Sequence, residues 1–208
     1  MTGLASPRLR GLVEGASAPQ RRTQAAERCE LCAEPLPAVH RHVLERANRK
    51  LQCVCRACSL LFNHTAAGGD RYRLVPDRCR PLDTFSMDDL LWHALRIPVD
   101  MAFFVRGTDR DRVTAFYPSP AGATESLLEL DAWSELEREN PVLREMQPEV
   151  EALLVNRAGG ARAAWLVGLD TCYRLVAVVR RHWSGFTGGT AVWAEIARFF
   201  DELPRKVR

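Results

Sequence analysis

The sequence predicts an α+β fold, in which a small four-cysteine zinc-finger module is followed by a mostly antiparallel sheet domain with C-terminal helices. Three observations lead to this prediction. Two Cys-x-x-Cys pairs lie close together near the N-terminus, and β-rich runs separated by turn residues fill the middle of the chain. Two runs with apolar residues at helical spacing follow near the C-terminus.

The composition is that of an ordinary globular protein. The 208 residues are 47% hydrophobic and 26% charged, which leaves enough apolar material for a sizeable core. The formal net charge of +3 is too small to indicate a polyanion-binding protein by itself. No run approaches the roughly 18 uncharged apolar residues of a membrane span, and the N-terminus lacks the apolar core of a secretory signal. We therefore expect a soluble, cytoplasmic protein whose cysteines stay reduced.

Shifts in composition divide the chain into three parts. Residues 1–26 are rich in Ala, Gly, Ser, Pro and Arg without periodicity, which predicts a disordered arm. Residues 27–66 hold the cysteine pairs and form the predicted zinc-finger-like module. Residues 67–208 form the predicted α+β domain, which begins with a turn-rich linker and a short strand near Tyr72.

Local signals predict the elements of the α+β domain in order. The stretch TFSMDDLLWHALRIP predicts a short helix capped by Ser86. The runs VDMAFFVRG, RVTAFYPSP and ATESLLEL predict three antiparallel strands in a meander. Two short helical turns follow, and two apolar runs around Ala158–Gly160 predict a hairpin. Two helices close the chain, the last of them with Thr190 as its N-cap and Pro204 as its stop.

The cysteine pairs carry the strongest chemical signal in the sequence. The segments CELC and CRAC hold Cys29, Cys32, Cys55 and Cys58. Two residues between the cysteines of a pair allow a tight turn that directs both sulfurs at one ion, about 2.3 Å away. Four thiolates complete a tetrahedron and leave no position for chemistry, so the pattern predicts a structural metal site. Free buried thiols or a reducible disulfide are the alternatives, but matched pairs in a reducing compartment favour metal.

The residues that follow each pair bear on which metal is bound. Iron sites of the rubredoxin type use similar pairs, normally with a glycine after the second cysteine. In this chain Ala33 and Ser59 stand there. We therefore predict zinc, with iron or an iron–sulfur cluster as the alternative.

Three further side chains near the pairs are additional candidate ligands. In an extended segment Cys53 and Cys55 point to the same side, so Cys53 could replace one ligand or add a fifth thiolate. His40 and His42 share a face by the same alternation and are candidates for ligands of a second kind. Histidines among arginines on a hairpin are also commonly solvated, and that alternative stays open.

The order CELC, HRHV and CRAC resembles the zinc-supported core of HNH-type endonucleases. That resemblance implies a central histidine that activates water, here His42. It also implies downstream residues that help to hold a catalytic metal, here Asn63 and His64. The chain departs from the pattern at Arg41, where the family carries an acidic residue. A treble-clef finger, with the second pair at the start of the short helix CRACSLLFN, has the same arrangement of cysteine pairs but no catalytic activity.

Outside the cysteine segment the sequence offers no catalytic constellation. We identify no Ser-His-Asp or Cys-His order and no pair of carboxylates in a glycine-framed or strand-end motif. We therefore predict no catalytic residues. The arginines of HRHVLERANRK and DRYRLVPDRCR could contact a phosphate backbone, but the acids among them favour a solvated face. The turn SGFTGGT suits a helix-to-helix connection. We expect Cys79 to be an isolated loop thiol and Cys172 an isolated thiol at a helix start.

The combined pattern resembles one family. Its segments are CELC…HRHVLE…CVCRACSLLF, GGDRYRLVPDR and CYRLVAVVRRHWSGFTGGTAVWAEIARFF, which together run from Cys29 to Phe200. They resemble an uncharacterised family, a domain of unknown function from high-GC bacteria that is often encoded beside nickel–iron hydrogenase genes. The resemblance implies a cytosolic accessory role in hydrogenase assembly or electron transfer, with hydrogenase subunits or maturation factors as partners.

Together these observations favour a zinc-stabilised, non-enzymatic accessory or interaction protein that binds a protein partner. An HNH-like nuclease or nucleic-acid-binding protein is the first alternative. An iron–sulfur or rubredoxin-type electron carrier is the second. The three hypotheses differ first in the metal chemistry that they require.

Overall fold

The computed structural model describes residues 27–62, 69–108, 112–126 and 130–203. The predicted arm, residues 1–26, lies outside these ranges, as do Asn63, His64 and the predicted helix stop Pro204. Within them, five α-helices accompany nine strands, which form a three-stranded and a six-stranded sheet. The helices in these ranges fall short of the length and apolar character that a bilayer crossing requires. The predicted α+β class, the mostly antiparallel sheet and the C-terminal helices are confirmed.

The small sheet is built from the segment between the two cysteine pairs and one later strand. Strands β1, Arg41–Glu45, and β2, Lys50–Val54, form a hairpin in which His42 lies opposite Cys53. Strand β3, Tyr72–Leu74, pairs with the other edge of β1, so the order is β2-β1-β3. The small sheet thus takes its third strand from beyond the predicted boundary at residue 66. The division of the chain at that boundary stays a prediction.

The large sheet contains the predicted meander and hairpin. Its strands are β4, Cys79–Pro81; β5, Met101–Arg106; β6, Val113–Ser119; β7, Gly122–Ser126; β8, Glu151–Asn156; and β9, Ala163–Gly168. Their order is β4-β9-β8-β5-β6-β7, with antiparallel pairing between all neighbours. Strands β5 to β7 form the meander, and β8 and β9 form the hairpin. Both predictions are confirmed.

The edge strand β4 corrects one prediction. Cys79, which we expected in a loop, lies opposite Val167 in the pairing of β4 with β9, so that expectation is wrong. The strand is only three residues long and contains a proline, which weakens every local signal for it. Pairing with a long buried strand decides its structure, and that strand lies far along the chain.

Helices occupy the predicted segments. They are α1, Arg56–Leu61; α2, Asp89–Ala94; α3, Leu130–Glu139; α4, Leu169–His182; and α5, Gly189–Glu202. Short 3-10 turns cover Pro141–Glu145, after α3, and Ala158–Gly160, between β8 and β9. Cys172 lies near the start of α4 and is fully buried, as expected for a helix thiol.

Two predicted helix caps are wrong. The N-cap of α2 is Asp88, whose carboxylate accepts a hydrogen bond from a first-turn amide at 2.7 Å. Ser86 is held elsewhere, because its amide donates to Asn140 Oδ1 at 2.8 Å. Helix α5 begins after Gly188, two residues before Thr190. Gly188 has a φ of 87° and closes the preceding loop through a backbone bridge, and glycine adopts that conformation readily.

Alternate side chains of the central strands enter two separate cores. On β5, Phe103 and Val105 pack with α4 and α5, whereas Ala102 and Phe104 pack with α2 and α3. Successive residues of a strand point to opposite faces, so a strand that is covered on both faces must be apolar throughout. This arrangement explains the uninterrupted run MAFFV, because the large sheet lies between two helical layers.

The small sheet packs on the α4 side of the large sheet. Leu44 of β1 and Val75, which follows β3, belong to the same core as the buried face of α4. The backbone at Pro76 passes very close to Gly168, the last residue of β9, because a Cβ on Gly168 would lie 2.4 Å from Pro76 O. The cysteine-bearing hairpin is therefore anchored beside the first turn of α4.

Candidate metal centre

The first cysteine pair lies in a tight turn held by backbone hydrogen bonds. Ala33 N donates to Cys29 O at 2.8 Å, and Cys29 N donates to Glu34 O at 2.8 Å. Ala33 has a φ of 63°, a left-handed conformation that glycine usually supplies. The turn thus forms without glycine, and the residue type after the pair does not distinguish a zinc site from an iron site.

The second cysteine pair begins helix α1. Cys55 is the N-cap, and its Sγ accepts a hydrogen bond from Cys58 N at 3.5 Å. Ser59 N donates to Cys55 O at 2.9 Å and starts the helical hydrogen bonding. The chain therefore changes from the extended strand β2 to a helix at Cys55, which directs both sulfurs to the same side. The short helix expected at the second pair is confirmed.

The two turns bring four sulfurs together. The Sγ atoms that lie within 4.8 Å of one another are those of Cys29, Cys32, Cys55 and Cys58. The sulfurs of Cys32 and Cys55 are 3.6 Å apart. A tetrahedral zinc with Zn–S bonds of about 2.3 Å requires sulfurs roughly 3.8 Å apart, so the cluster has the right size for one ion. The separation is far longer than a disulfide bond of about 2 Å, and no disulfide joins any of the cysteines in the described residues.

The surroundings of Cys29 and Cys58 shift the pKa values of these two thiols in opposite directions. Burial acts to raise the pKa of Cys29, but backbone amides of Cys55 and of the first turn outweigh it and lower that pKa to about 6. Burial and hydrogen bonds with the neighbouring thiols raise the pKa of Cys58. One thiolate is therefore favoured while a neighbouring thiol keeps its proton. A divalent cation in the cluster would allow all four to ionise together.

A second cluster of metal-ligating side chains lies beside the first. His40, His42 and Cys53 each place one ligand atom within 4.8 Å of the others, and the imidazole ring centres are 5.0 Å apart. The hairpin register explains the grouping, because His42 lies directly opposite Cys53. His40 precedes His42 by two residues and reaches the same face. Cys53 is thus grouped with the histidines and not with the four cysteines.

An oxygen acceptor holds each histidine ring at Nδ1. His42 Nδ1 lies 3.1 Å from Asp170 Oδ2, in the first turn of α4, and His40 Nδ1 lies 3.0 Å from Pro37 O. Sequence reasoning missed Asp170, which is 128 residues away from His42. The one local signal for it is an acidic residue in the first turn of a helix, which ordinarily indicates stabilisation of the helix alone.

Two arginines of the basic stretches near the cysteine segment are paired with carboxylates. Arg46 donates to Glu149 at 2.8 Å, and Arg71 donates to Glu45 at 2.8 Å. These pairs neutralise charge that contact with a phosphate backbone would use. The ion pairs favour a solvated, self-complementary face over a nucleic-acid surface.

Comparison with protein-family models shows which family the chain represents. The model of a family of unknown function (DUF5947) matches residues 28–207. The chain belongs to this family. The match begins one residue before Cys29, so both ligand clusters and both sheets lie within the family domain. A search of the curated proteins found no match, and a search of the solved structures found none either.

Proposed function

We propose that this protein is a zinc-stabilised, non-enzymatic accessory protein that binds a protein partner. The observation that supports the zinc centre is the convergence of four cysteine sulfurs from two tight turns within 4.8 Å. Four thiolates fill the tetrahedron of a zinc ion and leave no open position. The ion at this site would therefore stabilise the fold and take no part in catalysis.

The small apolar core around the two turns explains why an ion is needed there. In the described part of the chain, the buried members of this core are Cys29, Val43, Val54 and Cys55. Two of the four are proposed ligands, so little apolar surface is left to stabilise the segment. Zinc binding would supply the stabilisation, as it does in other small metal-dependent modules.

Exposed apolar side chains beside the turns support a partner-binding role. Val39, Leu60 and Leu61 are 90%, 62% and 55% exposed, respectively. Leu60 and Leu61 lie on α1, and Val39 lines a surface groove with Pro35 and Ala57. Apolar groups held on a rigid element and left open to solvent are typical of protein interaction surfaces.

The family resemblance extends the proposal to a partner. It connects the family with nickel–iron hydrogenases, so we take hydrogenase subunits or maturation factors as the proposed partners. Co-expression with both hydrogenase subunits, followed by gel filtration, tests this part. We expect co-elution that is lost with Leu60→Asp and Leu61→Asp and kept with Leu90→Asp, a control at an exposed leucine of α2. Separate elution of the wild-type protein would contradict the hydrogenase partner and leave the zinc centre untouched.

Elemental analysis together with an absorption spectrum tests the zinc centre. Full-length protein purified without air should be colourless and carry tightly bound zinc that is lost in Cys55→Ser. Cys79→Ser is the matched control, because Cys79 lies outside the cluster and donates to Leu203 O, a bond that serine can also make. Bound iron with visible absorption would favour an electron carrier. Metal-free wild-type protein of undiminished stability would contradict a metal centre altogether.

A nuclease is the second candidate function, and the setting of His42 is the observation that favours it. His42 lies on β1 of a unit in which two strands precede helix α1, and Asp170 holds its Nδ1. A histidine oriented by a carboxylate can act as a general base. Divalent-metal-dependent cleavage of DNA or RNA that His42→Ala abolishes would support this function. Absence of cleavage and of salt-sensitive binding would exclude it.

A further inference from the structure

The second cluster, His40, His42 and Cys53, has the features of a metal site of its own. We propose that His40, His42 and Cys53 bind one zinc ion, separate from the four-cysteine centre, with the fourth position open to solvent. Their ligand atoms lie within 4.8 Å of one another, and all three residues are partly exposed. Imidazole nitrogen and thiolate sulfur are both established zinc ligands, and three protein ligands are characteristic of zinc sites that exchange a fourth one. This inference does not rest on the role proposed for the four cysteines.

The hydrogen bonds of the His40 and His42 rings leave Nε2 of each ring available as a metal ligand. Pro37 O and the carboxylate of Asp170 are acceptors, so each ring donates from Nδ1. In a neutral imidazole the lone pair then lies on Nε2, which becomes the metal ligand. Metal-binding histidines ordinarily donate their second nitrogen to a carboxylate or a backbone carbonyl, and His42 and His40 show one example of each.

His40 supplies an independent observation. Its side chain is 9% exposed, and its Nε2 is a buried polar atom without a hydrogen-bond partner in the described part of the chain. The carboxylate of Glu27 lies 3.9 Å from this nitrogen, which is too far for a hydrogen bond. A buried acceptor without a donor is unfavourable, and a bound cation would satisfy it.

The surrounding charge also favours a cation. Glu30 Oε2 accepts a hydrogen bond from Cys53 N at 2.7 Å, and Glu27 lies beside His40. Lys50 pairs with the other oxygen of Glu30 at 2.9 Å and neutralises part of this charge. The remaining negative charge lies where a cation bound to the three ligands would be attracted.

Cobalt titration of the metal-free, full-length protein measures the two sites separately. Cobalt(II) held by four thiolates and cobalt(II) held by two imidazoles and one thiolate differ in their charge-transfer and ligand-field bands. We expect two equivalents in the wild type and one in His40→Gln or Cys53→Ser, with the four-thiolate bands kept. His93→Gln, at an exposed histidine of α2, and Cys79→Ser should keep two. The bands of the two sites are read separately, so failure at one site is distinguished from failure at the other.

Two further measurements separate a metal site from a purely structural cluster. Asp170→Asn should lower the affinity of the second site about 10- to 100-fold and leave the four-cysteine site unchanged. Added azide should shift the bands of the second site, because its fourth ligand is exchangeable. Circular dichroism confirms that each variant is folded. A single equivalent in the wild type, or two equivalents in folded His40→Gln and Cys53→Ser, would overturn the site, and bands unchanged by azide would overturn its open position.

Discussion

His42 Nδ1 and Asp170 Oδ2 lie 3.1 Å apart and join the small sheet to the first turn of α4. Both side chains are partly buried, at 23% and 28% exposure. The contact spans 128 residues of sequence, so it helps to fix where the cysteine-bearing hairpin sits on the larger part of the protein. It also orients the ring that belongs to the second proposed metal site. One hydrogen bond thus serves both the packing of the hairpin and the arrangement of a ligand.

Alanine at His42 and at Asp170, singly and together, should reveal coupling between the two side chains. A hydrogen bond of this kind contributes roughly 0.5–1.5 kcal/mol to the free energy of unfolding. We expect the double variant to be less destabilised than the sum of the single variants by about that amount. Urea unfolding in a Cys53→Ser background measures the cycle without a metal bound to His42. Additive effects would show that the contact contributes nothing to stability.

Removal of zinc should unfold the hairpin before the large sheet. Strands β1 and β2 lie beside a core in which two buried members are proposed cysteine ligands, whereas β5 and β8 are buried along their whole length. After chelation we expect amide exchange to become fast in β1 and β2 and to stay slow in β5 and β8. Mass spectrometry of exchanged peptides measures this, and Cys55→Ser without chelator should give the same pattern. Equal loss of protection everywhere would show that the chain unfolds as one unit.

The turns of the cysteine pairs and the buried central strand were predicted from local chemistry, whereas features that depend on distant contacts were not. The spacing of CELC and CRAC predicts converging sulfurs because two-residue gaps define a local turn, and the four sulfurs do converge. The run MAFFV predicts a strand, because a strand that is buried on both faces is apolar at every position. Strand β4 depends on pairing with β9, and the cap of α2 depends on Asn140 holding Ser86. Neither partner can be identified from neighbouring residues.

Local sequence likewise predicts only part of the cluster formed by His40, His42 and Cys53. Alternation along a strand predicts that His40 and His42 share a face, and their ring centres are 5.0 Å apart. It does not reveal that Cys53 lies opposite His42, because the hairpin register depends on the length of the turn between β1 and β2. Asp170 comes from a separate helix, and the packing of α4 against the small sheet brings it to His42.

Ala33→Gly should stabilise the protein. Ala33 has a φ of 63°, where a Cβ costs about 1 kcal/mol and glycine is unstrained. The greater freedom of glycine in the unfolded chain offsets part of that gain, so we expect a net increase of about 0.5 kcal/mol in the free energy of unfolding. Ala57→Gly, in helix α1, is the matched control and should have the opposite sign. Chemical denaturation of the zinc-loaded proteins measures both, and a destabilised Ala33→Gly variant would contradict the strain.

A buried ion pair joins Arg78, directly before strand β4, to Glu151 at the start of β8. The side chain of Glu151 is 0% exposed, and that of Arg78 is 29% exposed. Arg78 Nη1 donates to Glu151 Oε2 at 3.2 Å, and Gln147 N donates to the same oxygen at 2.8 Å. Without the guanidinium of Arg78, Gln147 N would be the one donor left to the buried Glu151 carboxylate among these contacts. One hydrogen bond does not compensate for a charge removed from water.

Arg78→Met should therefore destabilise the protein by about 3 kcal/mol, the lower end of the range for a broken buried pair, because Arg78 is partly exposed. Adding Glu151→Gln should recover more than half of the loss, since the amide oxygen can still accept from Gln147 N without a charge. Arg80→Met is the matched control, because Arg80 pairs at 2.8 Å with the exposed Glu145 and should cost less than about 1 kcal/mol. Thermal and urea unfolding measure the four proteins. Equal losses in Arg78→Met and Arg80→Met would show that burial of Glu151 carries no electrostatic penalty.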